Sequence, residues 1–143
     1  MIEGSRGESS PRIKEIFVGL PLRLSHYELI YAIAKSAEAY GATHLLHEAE
    51  VRWGKGRGGG GRLDLSFRLS GFIIGVEVDN KTLKWRSLEK IRSSGVEVGV
   101  YVLRHAEPRV DRSLFRLSVT PRAKPLREWI VTRTMVEQVY PVL

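Results

Sequence analysis

The chain has 143 residues and a formal net charge of +7, and this length is enough for one domain with a sizeable core. It contains no cysteine, which excludes disulfides and thiolate metal sites. No apolar run approaches the roughly 20 residues of a membrane-spanning helix, and the N-terminus lacks the apolar region of a secretory signal. We therefore expect a cytoplasmic protein with a flexible tail over residues 1–11 and a single domain over residues 12–143.

The positive charge is concentrated in the second part of the chain. Residues 1–80 hold 10 basic and 10 acidic side chains, whereas residues 81–143 hold 13 basic and 6 acidic ones. This asymmetry predicts a polyanionic partner, with nucleic acid as the first choice and no membrane. The alternative is an arginine-rich soluble surface of a thermophilic protein, since the chain has 16 Arg and only one Asn and one Gln.

The first elements in chain order are a short apolar segment, a helix and a strand. Residues 13–22 fit either a turn of helix or an edge strand. Ser25 and Glu28 form a capping box, which predicts a helix that begins there and ends at Gly41. Residues 43–53 alternate loosely and predict the first strand.

The next stretch predicts a β-hairpin. Polar and apolar residues alternate over residues 62–69 and 72–79, and Ser70-Gly71 suits a two-residue turn. This register pairs Leu65 with Val76 and places the large hydrophobic side chains on one face.

The opposite face of the hairpin brings acidic side chains together. In the predicted register Asp64 lies opposite Glu77, with Asp79 on the diagonal and Lys81 on the same face. Like charges that face each other across two strands destabilise a hairpin, so this cluster needs a cation, a shared proton or a basic neighbour. We take it as the expected functional centre.

The remaining chain predicts two helices and one strand. A short helix begins at Ser87 and ends at Gly95, and residues 96–103 predict a strand that is buried on both faces. Residues 104–124 have no clear assignment, and residues 125–139 fit an amphipathic helix with Pro125 in its first turn. The predicted fold is α+β, an αβββαβ core with a mixed four-stranded sheet flanked by helices.

Asp64, followed fifteen residues later by Asp79-Asn80-Lys81, resembles the motif of the PD-(D/E)XK nuclease superfamily, which includes restriction endonucleases and archaeal Holliday-junction resolvases. The resemblance covers residues 25–105 and implies a restriction-endonuclease-like fold. It implies that Asp64 and Asp79 bind Mg²⁺ or Mn²⁺ and that Lys81 orients the attacking water. It also implies an acid from the first helix, for which Glu28 is the candidate.

Each of these acids also has a structural interpretation. The capping box accounts fully for Glu28, and Glu38 and Glu48 are alternatives for its catalytic role. Glu77 is an additional acid in the catalytic cluster, and the whole cluster can equally be a structural ion network.

A second group of residues points to nucleic-acid binding. Glycines let backbone amides approach phosphates, and aromatic side chains can stack on bases. The glycine-rich segment around residues 54–61 and the residues after the hairpin supply basic and aromatic candidates, which are Arg52, Trp53, Lys55, Arg57, Arg62, Lys84, Trp85 and Arg86. For each tryptophan taken alone, burial in the core is the favoured alternative.

These observations leave three functional hypotheses. The first is metal-dependent cleavage of single-stranded or branched DNA. The second is single-stranded DNA binding without cleavage or cofactor, and in size, basicity and apparent thermophily the chain is similar to the archaeal ThermoDBP-related DNA-binding proteins. The third is a structural or partner-binding domain. The sequence leaves open whether the protein forms a homodimer.

Overall fold

The computed structural model describes residues 12–52, 60–116 and 125–141. The predicted tail over residues 1–11 lies outside these ranges. The elements in chain order are α1 (Ile13–Phe17), α2 (His26–Ala39), β1 (Thr43–Arg52), β2 (Gly60–Leu69), β3 (Phe72–Asp79), α3 (Trp85–Ser93), β4 (Val98–Leu103), a 3₁₀ helix (Arg112–Arg116), β5 (Arg127–Val131) and β6 (Val136–Tyr140).

All six strands form one mixed sheet in the order β1-β2-β3-β4-β5-β6. Neighbouring strands are antiparallel from β1 to β3, parallel from β3 to β5, and antiparallel between β5 and β6. The prediction of a four-stranded sheet is therefore wrong, although the broad α+β class agrees with the structure. The order α2-β1-β2-β3-α3-β4 is present, and β5 and β6 extend its sheet by two strands.

The two additional strands occupy the segment that the sequence assigns to a helix over residues 125–139. Trp129 and Val131 pack on one face of the sheet and Ile130 packs on the other, so the apolar residues follow the twofold period of a strand. Parallel pairing with β4, which joins Val100 to Trp129, holds the segment in the extended conformation. The helical interpretation is wrong because this apolar spacing fits both periods and only the distant strand decides between them.

The β2–β3 hairpin has the predicted register. Leu69 pairs with Phe72 and Leu65 pairs with Val76. Ser70 and Gly71 have φ values of 53° and 83°, and positive φ at both central residues is the type I′ pattern that matches the twist of a hairpin. This prediction is confirmed.

Helices cover both faces of the sheet. Helix α2 begins at the predicted capping box, in which the Ser25 hydroxyl accepts from the Glu28 backbone and the Glu28 carboxylate accepts from the Ser25 backbone. It packs with α1 on one face, and α3 packs on the other. The backbone of α3 approaches the sheet closely, because a Cβ on Gly99 would lie 2.4 Å from Ile91 Cγ2.

A buried ionic network joins α3 to the sheet. Arg92 of α3 donates to the Glu128 carboxylate of β5, with Nη2 and Oε1 2.8 Å apart, and also to the Phe115 carbonyl. The Tyr101 hydroxyl of β4 donates to the same carboxylate. This network holds the C-terminal end of α3 against the start of β5.

Within the described ranges, no helix has both the length and the apolar character needed to span a membrane.

Candidate nucleic-acid interface

The candidate site lies where the parallel strands β3, β4 and β5 end. We call this end of the sheet, marked by Asp79, Leu103 and Val131, the carboxyl edge. Helix α3 begins six residues after β3 ends, and the N-terminus of α2 is held beside the end of β4, since Arg104 Nη2 donates to the Leu24 carbonyl at 2.6 Å. Two helix N-termini therefore meet at one edge, the position at which α/β sheets usually bind ligands.

The structure brings Asp64 and Glu77 together, but not as two opposed carboxylates. The regular β2–β3 ladder ends at Leu65 and Val76, and side chains then replace the backbone acceptors. Glu77 Oε2 accepts from the Asp64 backbone N–H at 2.9 Å, and Asp64 Oδ2 accepts from the Val78 N–H at 2.7 Å. These bonds offset the repulsion that the sequence predicts for the pair.

The two carboxylates then turn to opposite faces of the sheet. The alternation of β2 is interrupted here, since Leu63 packs on the α3 side and Leu65 packs on the α2 side. Glu77 contacts Lys90 of α3 at 3.0 Å, whereas Asp64 lies 3.4 Å from His26 Nε2 at the start of α2. The Glu77 carboxylate thus contacts the backbone of Asp64 and not its carboxylate. Lys90 is the partner of Glu77, and His26 is the partner of Asp64.

The environment of Glu77 shifts its protonation. Its side chain is 2% exposed, and burial together with the nearby charge of Asp64 raises its pKa to about 7. Lys90 and the Asp64 N–H act in the opposite direction and hold the shift below what burial alone would give. Glu77 can therefore change its protonation state near neutral pH.

Asp79 and Lys81 lie at the end of β3 but outside this pair. The Asp79 carboxylate accepts from the Lys84 backbone N–H at 3.2 Å, so it caps the start of α3. Lys81 is exposed, and its backbone carbonyl accepts from the Arg109 N–H. Glu28 is also exposed and is engaged with Ser25 in the capping box.

The two acids of the predicted magnesium site each have a backbone partner in the structure. The resemblance calls for Asp64 and Asp79 as joint ligands, whereas in the structure Asp64 accepts from the Val78 N–H and Asp79 from the Lys84 N–H. Both oxygens of Glu77 are occupied, one by the Asp64 N–H and one by Lys90. Within the described ranges no three His, Asp or Glu side chains are grouped so that they could hold a metal ion.

The basic candidates after the hairpin form an exposed surface at the start of α3. Lys84 is the N-cap residue of α3, and Trp85 and Arg86 follow it in the first turn. Trp85 is 45% exposed, so the expectation that it is buried in the core is wrong. With the exposed Lys81 and Arg109, these residues form what we call the Trp85 surface.

The remaining nucleic-acid candidates are not part of that surface in the described residues. Arg62 is exposed in β2 and pairs with Glu48 at 3.3 Å. Trp53, Lys55 and Arg57 lie outside the described residues, and of Arg52 only the backbone in β1 is described.

Sequence reasoning missed Lys90 and His26, which contact the two central acids. Lys90 lies 13 residues after Glu77, and only the packing of α3 on the sheet brings them together. His26 directly follows Ser25, the N-cap of α2. The capping box indicates where the helix begins, but it does not indicate that His26 contacts Asp64 of β2.

Comparison of the chain with protein-family models, curated proteins and solved structures gave no match. The functional argument therefore depends on the residues of this chain alone.

Proposed function

We propose that this chain binds single-stranded nucleic acid at the carboxyl edge, through the Trp85 surface. The exposure of Trp85 carries the proposal: the ring is 45% exposed and lies between the exposed residues Lys84 and Arg86. Tryptophan is usually largely buried in folded proteins, so its exposure within a basic surface needs a reason. Stacking of bases on aromatic rings, with cations along the backbone, is how proteins hold single strands without reading sequence.

The charge distribution supports the same proposal. The Arg109 N–H donates to the Lys81 carbonyl and Thr82 forms a β-bridge with Arg109, so both cations lie at the β3–α3 connection that leads to Lys84. The carboxyl edge thus collects cations from the part of the chain that carries the entire net charge of +7. A phosphate backbone is the polyanion that such a surface attracts.

Fluorescence anisotropy with a labelled single strand of about 16 nucleotides tests the proposal directly. We expect binding at low salt and about 5- to 150-fold weaker binding for Trp85→Ala, because stacking on one aromatic ring contributes about 1–3 kcal/mol. Tyr40→Ala is the matched control, since Tyr40 is also exposed but lies at the other end of α2, away from the carboxyl edge. Failure to bind any single strand at low salt, or equal losses in both variants, would contradict the proposal.

Cleavage of the bound strand is the second candidate function. The contact of Asp64 with Glu77, together with the raised pKa of Glu77 beside Lys90, favours it because strongly shifted pKa values are concentrated at catalytic sites. Within the described ranges these acids do not belong to a group of three potential metal ligands. Incubating single-stranded and four-way DNA with Mg²⁺, Mn²⁺ or EDTA separates the candidates. Metal-dependent products that Asp64→Asn abolishes would establish cleavage, and intact DNA with EDTA-independent binding would leave binding alone.

A further inference from the structure

A small cavity opens beside Asp64, on the α2 side of the sheet. It has a volume of about 150 Å³ and lies between the first turns of α2 and the strands β1 and β2. This is the space of about five water molecules, which is comparable with the size of one nucleobase. Its polar lining includes the Asp64 carboxylate and the Arg62–Glu48 ion pair.

Two side chains at the start of α2 give this cavity an aromatic wall. The rings of His26 and Tyr27 are perpendicular, with centroids 5.3 Å apart, and Tyr27 is 70% exposed. Ile30, one turn further along α2, adds an apolar surface. A planar heterocycle can stack against such a wall, because every nucleobase has a π face.

The Asp64 carboxylate is the polar group through which the cavity can distinguish one base from another. Its side chain is 18% exposed, and its Oδ2 accepts from the Val78 N–H and lies near His26. Within the described ranges no residue donates a hydrogen bond to Oδ1. A carboxylate has about four acceptor positions and no donor, so a ligand with N–H groups finds acceptor capacity at Asp64, while Arg62, His26 and His47 supply donors elsewhere in the lining.

We propose that this cavity receives one base of the bound single strand and that Asp64 selects guanine. This inference rests on the proposed nucleic-acid binding. Guanine presents two neighbouring N–H donors, at N1 and at the 2-amino group, along one edge. Adenine and cytosine place a ring-nitrogen acceptor beside their amino group, and thymine flanks its single N–H with two carbonyl oxygens, so each would set an acceptor against the carboxylate. Arg62 at the rim can contact the adjoining phosphate.

The test compares thymine oligonucleotides in which one central position carries guanine, inosine, adenine or cytosine, measured in EDTA so that no strand is cut. We expect wild type to bind the guanine strand about tenfold more tightly than the adenine and cytosine strands, since a good bidentate contact discriminates bases to this extent. Inosine, which lacks the 2-amino group, should fall between guanine and adenine. Asp64→Asn should abolish the preference, because its amide keeps an acceptor for the Val78 N–H but turns a donor towards the base.

Glu38→Gln is the matched control, because Glu38 is an exposed carboxylate near the C-terminal end of α2, whereas the cavity lies at the N-terminal end of that helix. We expect this variant to keep the guanine preference. If wild type binds all four strands equally, the inference is overturned while the proposed binding stands. If no strand is bound, the proposed function itself fails. Retention of the preference in Asp64→Asn would also overturn the inference.

Discussion

The Glu77 carboxyl is buried between β3 and α3, and its pKa of about 7 makes the stability of the protein depend on pH. Below the ordinary pKa of 4.5 the group is protonated in both the folded and the unfolded chain. Between that value and about 7 the unfolded chain loses the proton and the folded chain keeps it, so the free energy of unfolding decreases as pH rises. The full decrease is about 3 kcal/mol, and it ends above the folded pKa.

Denaturation in guanidinium across this pH window measures the effect. Glu77→Gln keeps an acceptor for the Asp64 N–H and removes the titration, so its free energy of unfolding should change less with pH than that of wild type. The difference between the two profiles isolates Glu77 from all other titrating groups. Parallel profiles for the two proteins would show that Glu77 ionises normally in the folded state.

At the scale of elements, we expect the buried Arg92–Glu128 ion pair to be the contact that anchors α3 to the sheet. Glu128 is fully buried, so Arg92→Ala leaves a charge without its partner and should lower the free energy of unfolding by about 3–5 kcal/mol. Arg112 and Glu137 form an ion pair in which both side chains are about half exposed. Arg112→Ala breaks this pair and should lower the free energy of unfolding by less than about 1 kcal/mol. Chemical denaturation of both variants gives the comparison, and similar losses would show that the buried pair is not what anchors α3.

The elements also show which parts of the structure were predictable. The capping box of α2 and the Ser70-Gly71 turn are local signals, and both predictions are confirmed. The strands β5 and β6 were predicted as a helix because their structure is decided by pairing with β4, which local spacing does not reveal. For the same reason the sequence indicated the approach of Asp64 to Glu77 but not Lys90, whose contact depends on how α3 packs.

At the scale of the whole molecule, the topology places basic residues of the second part of the chain, which carries the net positive charge, at the carboxyl edge. The connections after β3 and β4 both leave from the carboxyl edge, where the Arg109 N–H donates to the Lys81 carbonyl and Lys84 caps the start of α3. Arg68 lies near the hairpin turn at the opposite end of β2 and is also exposed. A single strand bound at the carboxyl edge should therefore depend on Lys84 and not on Arg68.

Salt titration of binding distinguishes these two cations. Each phosphate contact on a single strand contributes about 0.7 to the slope of log affinity against log salt, because neutralising the phosphate releases condensed counterions. Lys84→Ala should reduce the slope by about that amount and weaken binding at low salt, whereas Arg68→Ala should leave the slope unchanged. Both substitutions remove one positive charge, so a long-range effect of net charge would change the two slopes equally. Equal changes would mean that the strand is attracted by total charge and has no fixed position at the carboxyl edge.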